Sequence, residues 1–124
     1  MTVVQPGSEE TGNLFVVSTP IGNLGDVTHR AIETLGKVSL IAAEDTRRTK
    51  ILLNRYEIKT PLSSYNSFNK IKKAKNFIDQ LEKGNDLALV SDAGTPGISD
   101  PHYHLVNAAI EKGVSIYSIP GPSA

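Results

Sequence analysis

Apolar residues along the chain form short continuous runs, separated by stretches in which they recur every three or four positions. The continuous runs are residues 14–18, 38–43, 87–90 and 114–119, with a weaker candidate at 62–65. Runs of this length, rich in β-branched residues, predict strands that are buried on both faces. Strands buried in this way belong to a mostly parallel sheet with helices on each side.

The first two stretches between these runs have helical spacing and signals for helix ends. Asp26 or Thr28 can cap a helix that ends near Gly36. Thr46 can cap a second helix, which ends before Pro61. We therefore expect one helix between the first and second strands and another between the second and third.

The last two stretches also predict helices. The third helix covers residues 70–83 and stops at Gly84, with apolar positions at Ile71, Ala74, Phe77, Ile78 and Leu81. Pro101 suits the first turn of a fourth helix, which ends at Gly113. Strand and helix thus alternate, which predicts an α/β fold with a five-stranded, mostly parallel sheet and helices on both faces. Residues 1–12 lack apolar periodicity and are predicted to be a flexible N-terminal tail.

Composition supports one globular domain and excludes several classes of protein. The chain has 124 residues with 13 basic and 13 acidic side chains, a length near the commonest size of a single domain. No apolar run approaches the roughly 20 residues of a membrane span, and the start lacks a signal-peptide profile. The absence of cysteine excludes disulfides, thiolate zinc sites and cysteine nucleophiles. We expect a soluble, cytoplasmic domain without a metal site, whose neutral balance argues against coating nucleic acid by charge alone.

Loops rich in glycine, proline and aspartate follow four of the five predicted strands, at residues 18–26, 44–48, 91–101 and 120–124. Ligands of open parallel sheets bind beyond the carboxyl ends of the strands, where these loops begin. The loop at 91–101 is longer than a connection requires, and its glycines allow a ligand to approach the backbone. Turn formation alone is the other interpretation of such loops. Neither the P-loop motif nor the dinucleotide fingerprint is present, which argues against a kinase or NTPase and, more weakly, against a dinucleotide enzyme.

Two carboxylates, Glu44 and Asp45, directly follow the second predicted strand. They either favour the start of the next helix by capping it, or accept a hydrogen bond or proton from a substrate. Arg47 beside them can clamp a phosphate. Basic residues also cluster at Arg47, Arg48 and Lys50, and again at Lys70, Lys72, Lys73 and Lys75. The second cluster is typical of the solvated face of an amphipathic helix.

Four segments in this order, residues 18–26, 42–47, 91–101 and 119–124, resemble one family. It is the 16S rRNA cytidine 2′-O-methyltransferase group of the tetrapyrrole (corrin/porphyrin) methylase superfamily. The resemblance implies that residues 13–124 are the N-terminal α/β domain of a two-domain enzyme, with the second domain absent from this chain. It further implies S-adenosylmethionine as cofactor, methylation of a cytidine ribose 2′-hydroxyl in 16S rRNA of the small ribosomal subunit, and a homodimer at full length.

The resemblance also assigns residues to sites. It implies that a cofactor cleft is lined by Pro20, Gly22, Asp92, Ala93, Gly94, Thr95, Pro96, Gly97, Ile98, Ser123 and Ala124. The segment that faces RNA would be Glu44, Asp45, Thr46 and Arg47. A ribose hydroxyl is a weak acid, so we expect Asp45 or Glu44 to assist the leaving proton and Arg47 to hold a neighbouring phosphate.

The chain departs from the pattern of this group in two places. The group commonly has Ser-Tyr-His-Glu-His-Asn-Glu where this chain has Ser-Tyr-Asn-Ser-Phe-Asn-Lys at residues 64–70, and its Asp-Pro-Gly is Asp100-Pro101-His102 here. Both histidines and both glutamates of the first stretch are missing, while Asn69 remains. Two other functions stay open: a methylase that acts on a tetrapyrrole or precorrin, and a truncated, non-catalytic binding domain.

Overall fold

Strands and helices alternate through the described part of the chain. The computed structural model of the protein describes residues 11–19, 27–91 and 101–119. The strands are β1 (Asn13–Ser18), β2 (Leu40–Ala43), β3 (Leu62–Ser64), β4 (Leu87–Ser91) and β5 (Ser115–Ile119). The helices are α1 (His29–Lys37), α2 (Thr46–Arg55), α3 (Lys70–Glu82) and α4 (Pro101–Glu111). The predicted elements are all present.

The five strands form one sheet in the order β3-β2-β4-β1-β5, and every neighbouring pair is parallel. The predicted α/β fold is therefore confirmed. Because the strands are parallel, all of them end at the same edge of the sheet, which we call the carboxyl edge. The residues that reach it are Ser18, Ala43, Ser64, Ser91 and Ile119.

Each face of the sheet carries its own hydrophobic core, because successive side chains of a strand point to opposite faces. In β4, Leu87 and Leu89 belong to the core that includes residues of α3 and α4. Ala88 and Val90 belong to the other core, which includes residues of α1 and α2. This arrangement explains why the strands appear in the sequence as continuous apolar runs. Among the described residues, no helix is both long and apolar enough to cross a lipid bilayer.

Helix ends correct two of the predicted boundaries. The Asp45 carboxylate, not Thr46, caps α2: its Oδ1 accepts a hydrogen bond from the Arg48 N–H at 2.9 Å. Thr46 is instead the first helical residue, and the capping residue occupies the non-helical position immediately before the helix. The strand predicted at 38–43 begins at Leu40, because Val38 still closes α1 through a hydrogen bond to the Thr34 carbonyl at 3.3 Å.

The apolar spacing of α3 begins at Ile71, but this side chain does not belong to the hydrophobic core. Ala74, Phe77 and Leu81 are buried, as their spacing predicts, but Ile71 is 68% exposed. Ile71 lies in the first turn of α3, at the carboxyl edge where the packed surface of the sheet ends. A repeat of three and four residues defines a face of a helix, but not the length over which that face is covered.

Thr28 is the cap of α1, of the two candidates that the sequence offered. Its Oγ1 accepts a hydrogen bond from the Ala31 N–H at 3.2 Å. We expect Thr28→Ala to lower the free energy of unfolding by about 1 kcal/mol, because one N–H of the first turn loses its partner. Urea denaturation measures this change, and Thr28→Ser, which keeps the hydroxyl, is the control. Equal stability of the alanine variant and the parent chain would contradict the assignment of Thr28 as a stabilising cap.

Candidate functional site

The carboxyl edge brings together the starting points of all four predicted ligand loops. Paired strand ends include Ser18 with Ser91, Ala43 with Val90, and Val17 with Ile119. The predicted catalytic residues Glu44, Asp45 and Arg47 lie at this edge within the described chain. The predicted cofactor-binding residues lie outside the described residues: Pro20, Gly22, Asp92, Ala93, Gly94, Thr95, Pro96, Gly97, Ile98, Ser123 and Ala124.

At the centre of this edge, β1 and β4 lie side by side, and the helices that follow them pack on opposite faces of the sheet. The core on one face contains residues of α1, which follows β1, and the core on the other face contains residues of α4, which follows β4. The Thr19 N–H donates to the Ser91 carbonyl at 2.9 Å, and the Thr19 hydroxyl donates to the same oxygen at 3.4 Å. Where the chain leaves two adjacent strands towards opposite faces, a crevice opens between the two connections. Ligands of open parallel sheets usually bind in such a crevice.

A second divergence occurs where β2 and β3 end. Helix α2 follows β2 towards one face, and α3 follows β3 towards the other. The Tyr65 N–H donates to the Ala43 carbonyl at 2.9 Å, which extends the pairing of the two strands by one step. The predicted RNA-facing residues 44–47 and the turn at 66–69 therefore lie beside each other at the carboxyl edge.

The two carboxylates of this junction differ in their surroundings. Asp45 caps α2, so the capping interpretation of this residue is confirmed. A carboxylate has two oxygens and about four acceptor positions, so capping through Oδ1 leaves Asp45 able to accept a further hydrogen bond. Glu44 is exposed and has no hydrogen-bond partner within the described part of the chain. A substrate role for either residue stays a prediction.

An open groove of about 790 Å³ lies between α2 and β3, and we call it the basic groove. Its charged lining residues are Arg47, Lys50 and Lys59, and no acidic residue lines it. The uncharged ones are Thr46, Leu53, Asn54, Ile58, Thr60, Leu62 and Ser64. Three cations without a compensating anion favour a negatively charged ligand. In the described chain, no cluster of three or more histidine, aspartate or glutamate residues is arranged to hold a metal ion.

Sequence reasoning missed Lys59 and Ser64 as residues of this groove. Lys59 belongs to the connection between α2 and β3, whose path the apolar pattern does not define. It joins Arg47 and Lys50 only because this connection returns along the side of α2. The available signal was charge, since Lys59 has the same sign as the cluster at 47–50.

Together these features define an α/β domain of the kind that binds its ligand at the carboxyl edge of a parallel sheet. The chain belongs to the Tetrapyrrole (Corrin/Porphyrin) Methylases, whose family profile matches residues 13–124.

Curated relatives with similar sequences carry a ribosomal name. The chain is 54% identical over 116 residues to "Ribosomal RNA small subunit methyltransferase I" of Halalkalibacterium halodurans, covering 94% of this chain and 40% of that protein. The protein of the same name from Thermotoga maritima is 53% identical, with 91% of this chain and 51% of that protein covered. For Escherichia coli O157:H7 the identity is 48%, with 97% and 42% covered. The chain thus spans about half or less of the length of these relatives.

Solved structures with the same fold are much more distant in sequence. A cobalt precorrin-4 methyltransferase superposes with a TM-score of 0.72 at 16% identity, covering 98% of this chain and 50% of that one. A diphthine synthase superposes with a TM-score of 0.64 at 15% identity, covering 88% and 45%. These similarities confirm the fold.

Proposed function

We propose that the chain is the N-terminal part of a methyltransferase that uses S-adenosylmethionine and acts on small-subunit ribosomal RNA. The acceptor we assign is the ribose 2′-hydroxyl of a cytidine in 16S rRNA. The observation that carries this proposal is the identity of 48–54% to relatives named for ribosomal RNA, over more than nine-tenths of the chain. The solved precorrin and diphthine enzymes share only 15–16% of residues and support the fold, not their substrates.

The crevice between β1 and β4 suits the proposed cofactor in its chemistry. The described groups at its base are hydroxyls and backbone carbonyls, which match the hydroxyl, amino and carboxylate groups of an adenosyl amino acid. We assign the holding of this cofactor to the loop at residues 92–98, together with Pro20, Gly22, Ser123 and Ala124. S-adenosylmethionine, when bound, supplies a methyl group that is electrophilic because it is attached to a sulfonium.

The residues around α2 then position the acceptor. Asp45, or its neighbour Glu44, accepts the hydrogen bond of the ribose hydroxyl and takes up the proton as it leaves the oxygen. Arg47, in the basic groove, holds an adjacent phosphate, which fixes the ribose relative to the carboxylate. Because methyl transfer requires in-line approach and little covalent help, this positioning supplies much of the rate.

The proposal extends to the whole protein. Residues 13–124 form the N-terminal of two domains, and the cofactor lies between the two domains of an enzyme that forms a homodimer and acts in the cytoplasm. Of the tail expected at residues 1–12, residues 1–10 lie outside the described residues, and the Gly12 N–H donates to the Leu81 carbonyl at 2.6 Å. The length of the relatives, about twice that of this chain, supports a second domain. The described basic groove supports an anionic substrate on this half.

The complete gene product, incubated with methyl-labelled S-adenosylmethionine and unmodified small ribosomal subunits, tests the proposal. We expect label in 16S rRNA, on a cytidine whose 3′ linkage resists alkaline hydrolysis, since a 2′-O-methyl group removes the attacking hydroxyl. Label in uroporphyrinogen instead would identify a tetrapyrrole methylase. Absence of label in both, with no calorimetric binding of S-adenosylhomocysteine, would indicate the non-catalytic alternative.

A further inference from the structure

Positive charge is concentrated in one part of this neutral protein. Residues 46–78, which comprise α2, β3 and most of α3, contain nine basic residues and one acidic residue, Glu57, for a net charge of +8. The rest of the chain therefore has a net charge of −8. Since β3 is an edge strand, this segment forms one side of the molecule. The protein is neutral overall, but the positive charge of this side attracts a polyanion.

Phe68 projects from this basic side and is 99% exposed. It lies in the turn between β3 and α3, at the carboxyl edge. The turn is held by reciprocal side-chain hydrogen bonds: the Asn69 Oδ1 accepts from the Asn66 N–H at 2.8 Å, and the Asn66 Oδ1 accepts from the N–H groups of Phe68 and Asn69 at 2.9 and 3.1 Å. The Asn69 amide also donates to the Ser64 hydroxyl at 3.2 Å, which fastens the turn to the end of β3.

A rigid turn that holds an aromatic ring in solvent is costly for a folded chain, because burial of the ring would be favourable. The neighbouring charges add a second cost. Helix α3 begins at Lys70 and has no acidic residue in its first turn, although the helix dipole favours acidic groups there. Exposed Lys72 adds a cation near this end of α3, whereas Lys75 lines a groove with Asp79 on the side of α4. A bound ligand with negative charges and flat apolar rings would offset both costs.

Lysine residues follow the ring in the sequence, in the first turn of α3. Lys70 follows Phe68 by two residues, so their backbones are within about 7 Å of each other. Lys73 has a different role, since its Nζ donates to the Ser63 hydroxyl at 3.0 Å and ties α3 to β3. On the other side of β3, the basic groove presents Arg47 and Lys50. Basic residues therefore lie on both sides of β3, and the exposed ring lies in the turn that follows this strand.

We propose that Phe68 is a stacking platform for an unpaired nucleobase of single-stranded RNA, with Lys70, Lys72 and the basic groove holding the flanking phosphates. Stacking of bases on aromatic rings within a cationic groove is the usual basis of single-strand binding. A double helix does not fit this role, because its bases are already stacked on each other. The inference rests on the proposed function and adds to it the residue that positions the RNA strand beside Asp45.

Binding of RNA by the complete gene product tests this inference directly. The probe is a labelled single-stranded RNA of roughly 12 nucleotides, within the size range of single-strand sites, measured by fluorescence anisotropy at several salt concentrations. We expect Phe68→Ala to weaken binding by about 5- to 100-fold, with an unchanged salt dependence, because the ring carries no charge. Lys72→Ala should instead reduce the slope of log affinity against log salt by about 0.7, the value for one phosphate contact on a single strand.

Conservative variants separate stacking from general apolar contact. Phe68→Trp should retain the affinity, and Phe68→Leu, which keeps an apolar side chain without a π-face, should bind as weakly as Phe68→Ala. Ile110→Ala is the matched control, because Ile110 is also exposed but lies in the last turn of α4, away from the carboxyl edge. Its affinity for RNA should equal that of the parent protein.

Two results would overturn the inference. One is an RNA affinity of Phe68→Ala within twofold of the parent, and the other is full rescue of RNA affinity by Phe68→Leu, which would indicate simple apolar contact rather than stacking. Both results concern RNA binding by Phe68 variants, whereas the proposed function is tested by methyl transfer to the small subunit with the parent protein. Failure of this inference is therefore distinguishable from failure of the proposed function.

Discussion

Asp45→Asn should lower the rate of methyl transfer to small ribosomal subunits by about 100-fold, the lower end of the contribution of a positioned acid–base group. The reason is that the asparagine amide, unlike a carboxylate, cannot accept the proton that the ribose hydroxyl loses. The turnover number under saturating RNA and cofactor is the quantity to measure. Calorimetric binding of S-adenosylhomocysteine should be unchanged, because the predicted cofactor residues belong to other loops.

Asparagine is chosen because it separates the two roles of Asp45. It is as good a helix cap as aspartate, so the hydrogen bond from the Arg48 N–H, 2.9 Å long in the parent protein, can be retained. Asp45→Ala removes both roles and should also lower the free energy of unfolding by about 1 kcal/mol. A stable Asp45→Asn protein with little activity would therefore locate the defect in chemistry.

Glu44→Gln is the companion variant, because Glu44 occupies the adjacent exposed position. Loss of turnover in this variant alone would transfer the role of proton acceptor from Asp45 to Glu44. Full turnover in both variants, with intact cofactor binding, would show that neither carboxylate takes part. Methyl transfer would then depend on positioning, with Arg47 as the first residue to test.

The second large effect concerns stability. Phe77→Ala should lower the free energy of unfolding by about 3–5 kcal/mol, the range for removal of a buried phenylalanine ring. Phe77 is 2% exposed and meets the fully buried ring of Tyr65 edge to face, with the ring centroids 5.5 Å apart. The pair joins α3 to the residue that follows β3, so its loss should also loosen the turn at 66–69.

Chemical denaturation of the two proteins measures this effect. Ile71→Ala is the control, since Ile71 lies in the same helix but is 68% exposed, and we expect a change of about 0.5 kcal/mol or less. Equal destabilisation by the two substitutions would contradict the boundary of the core described above. Equal slopes of free energy against denaturant would confirm that the variants unfold as the parent does.

Much of the fold follows from local patterns in the sequence. Continuous apolar runs indicated five strands buried on both faces, and the spacing of residues such as Ala74 and Leu81 indicated the helices between them. The glycine-rich ends of these runs indicated the carboxyl edge as the ligand site. The inferences of strands and helices succeed because each depends on the period of one element and on the residues at its ends. Burial on both faces holds for the central strand β4, whereas two residues of the edge strand β5 are exposed. The ligand site stays a prediction.

Other features depend on which elements become neighbours. The sequence offered both Asp45 and Thr46 as caps of α2 because both residue types cap helices well, and only the backbone shows which of them precedes the first helical residue. Lys59 was missed in the basic groove because it arrives there through the path of a connection. Exposure of Phe68 likewise depends on the path of the turn between β3 and α3, which the apolar pattern does not define.

By itself, the sequence determined the order and type of the elements and the presence of carboxylates and cations after the second strand. It also carried the resemblance that the family match confirms. Only the tertiary structure decided that β2 lies between β3 and β4. That order places residues 44–47 beside the turn at 66–69 and gathers the positive charge on one side. The physical reason is that period and propensity act within about one element, whereas strand order depends on how the elements share a common core.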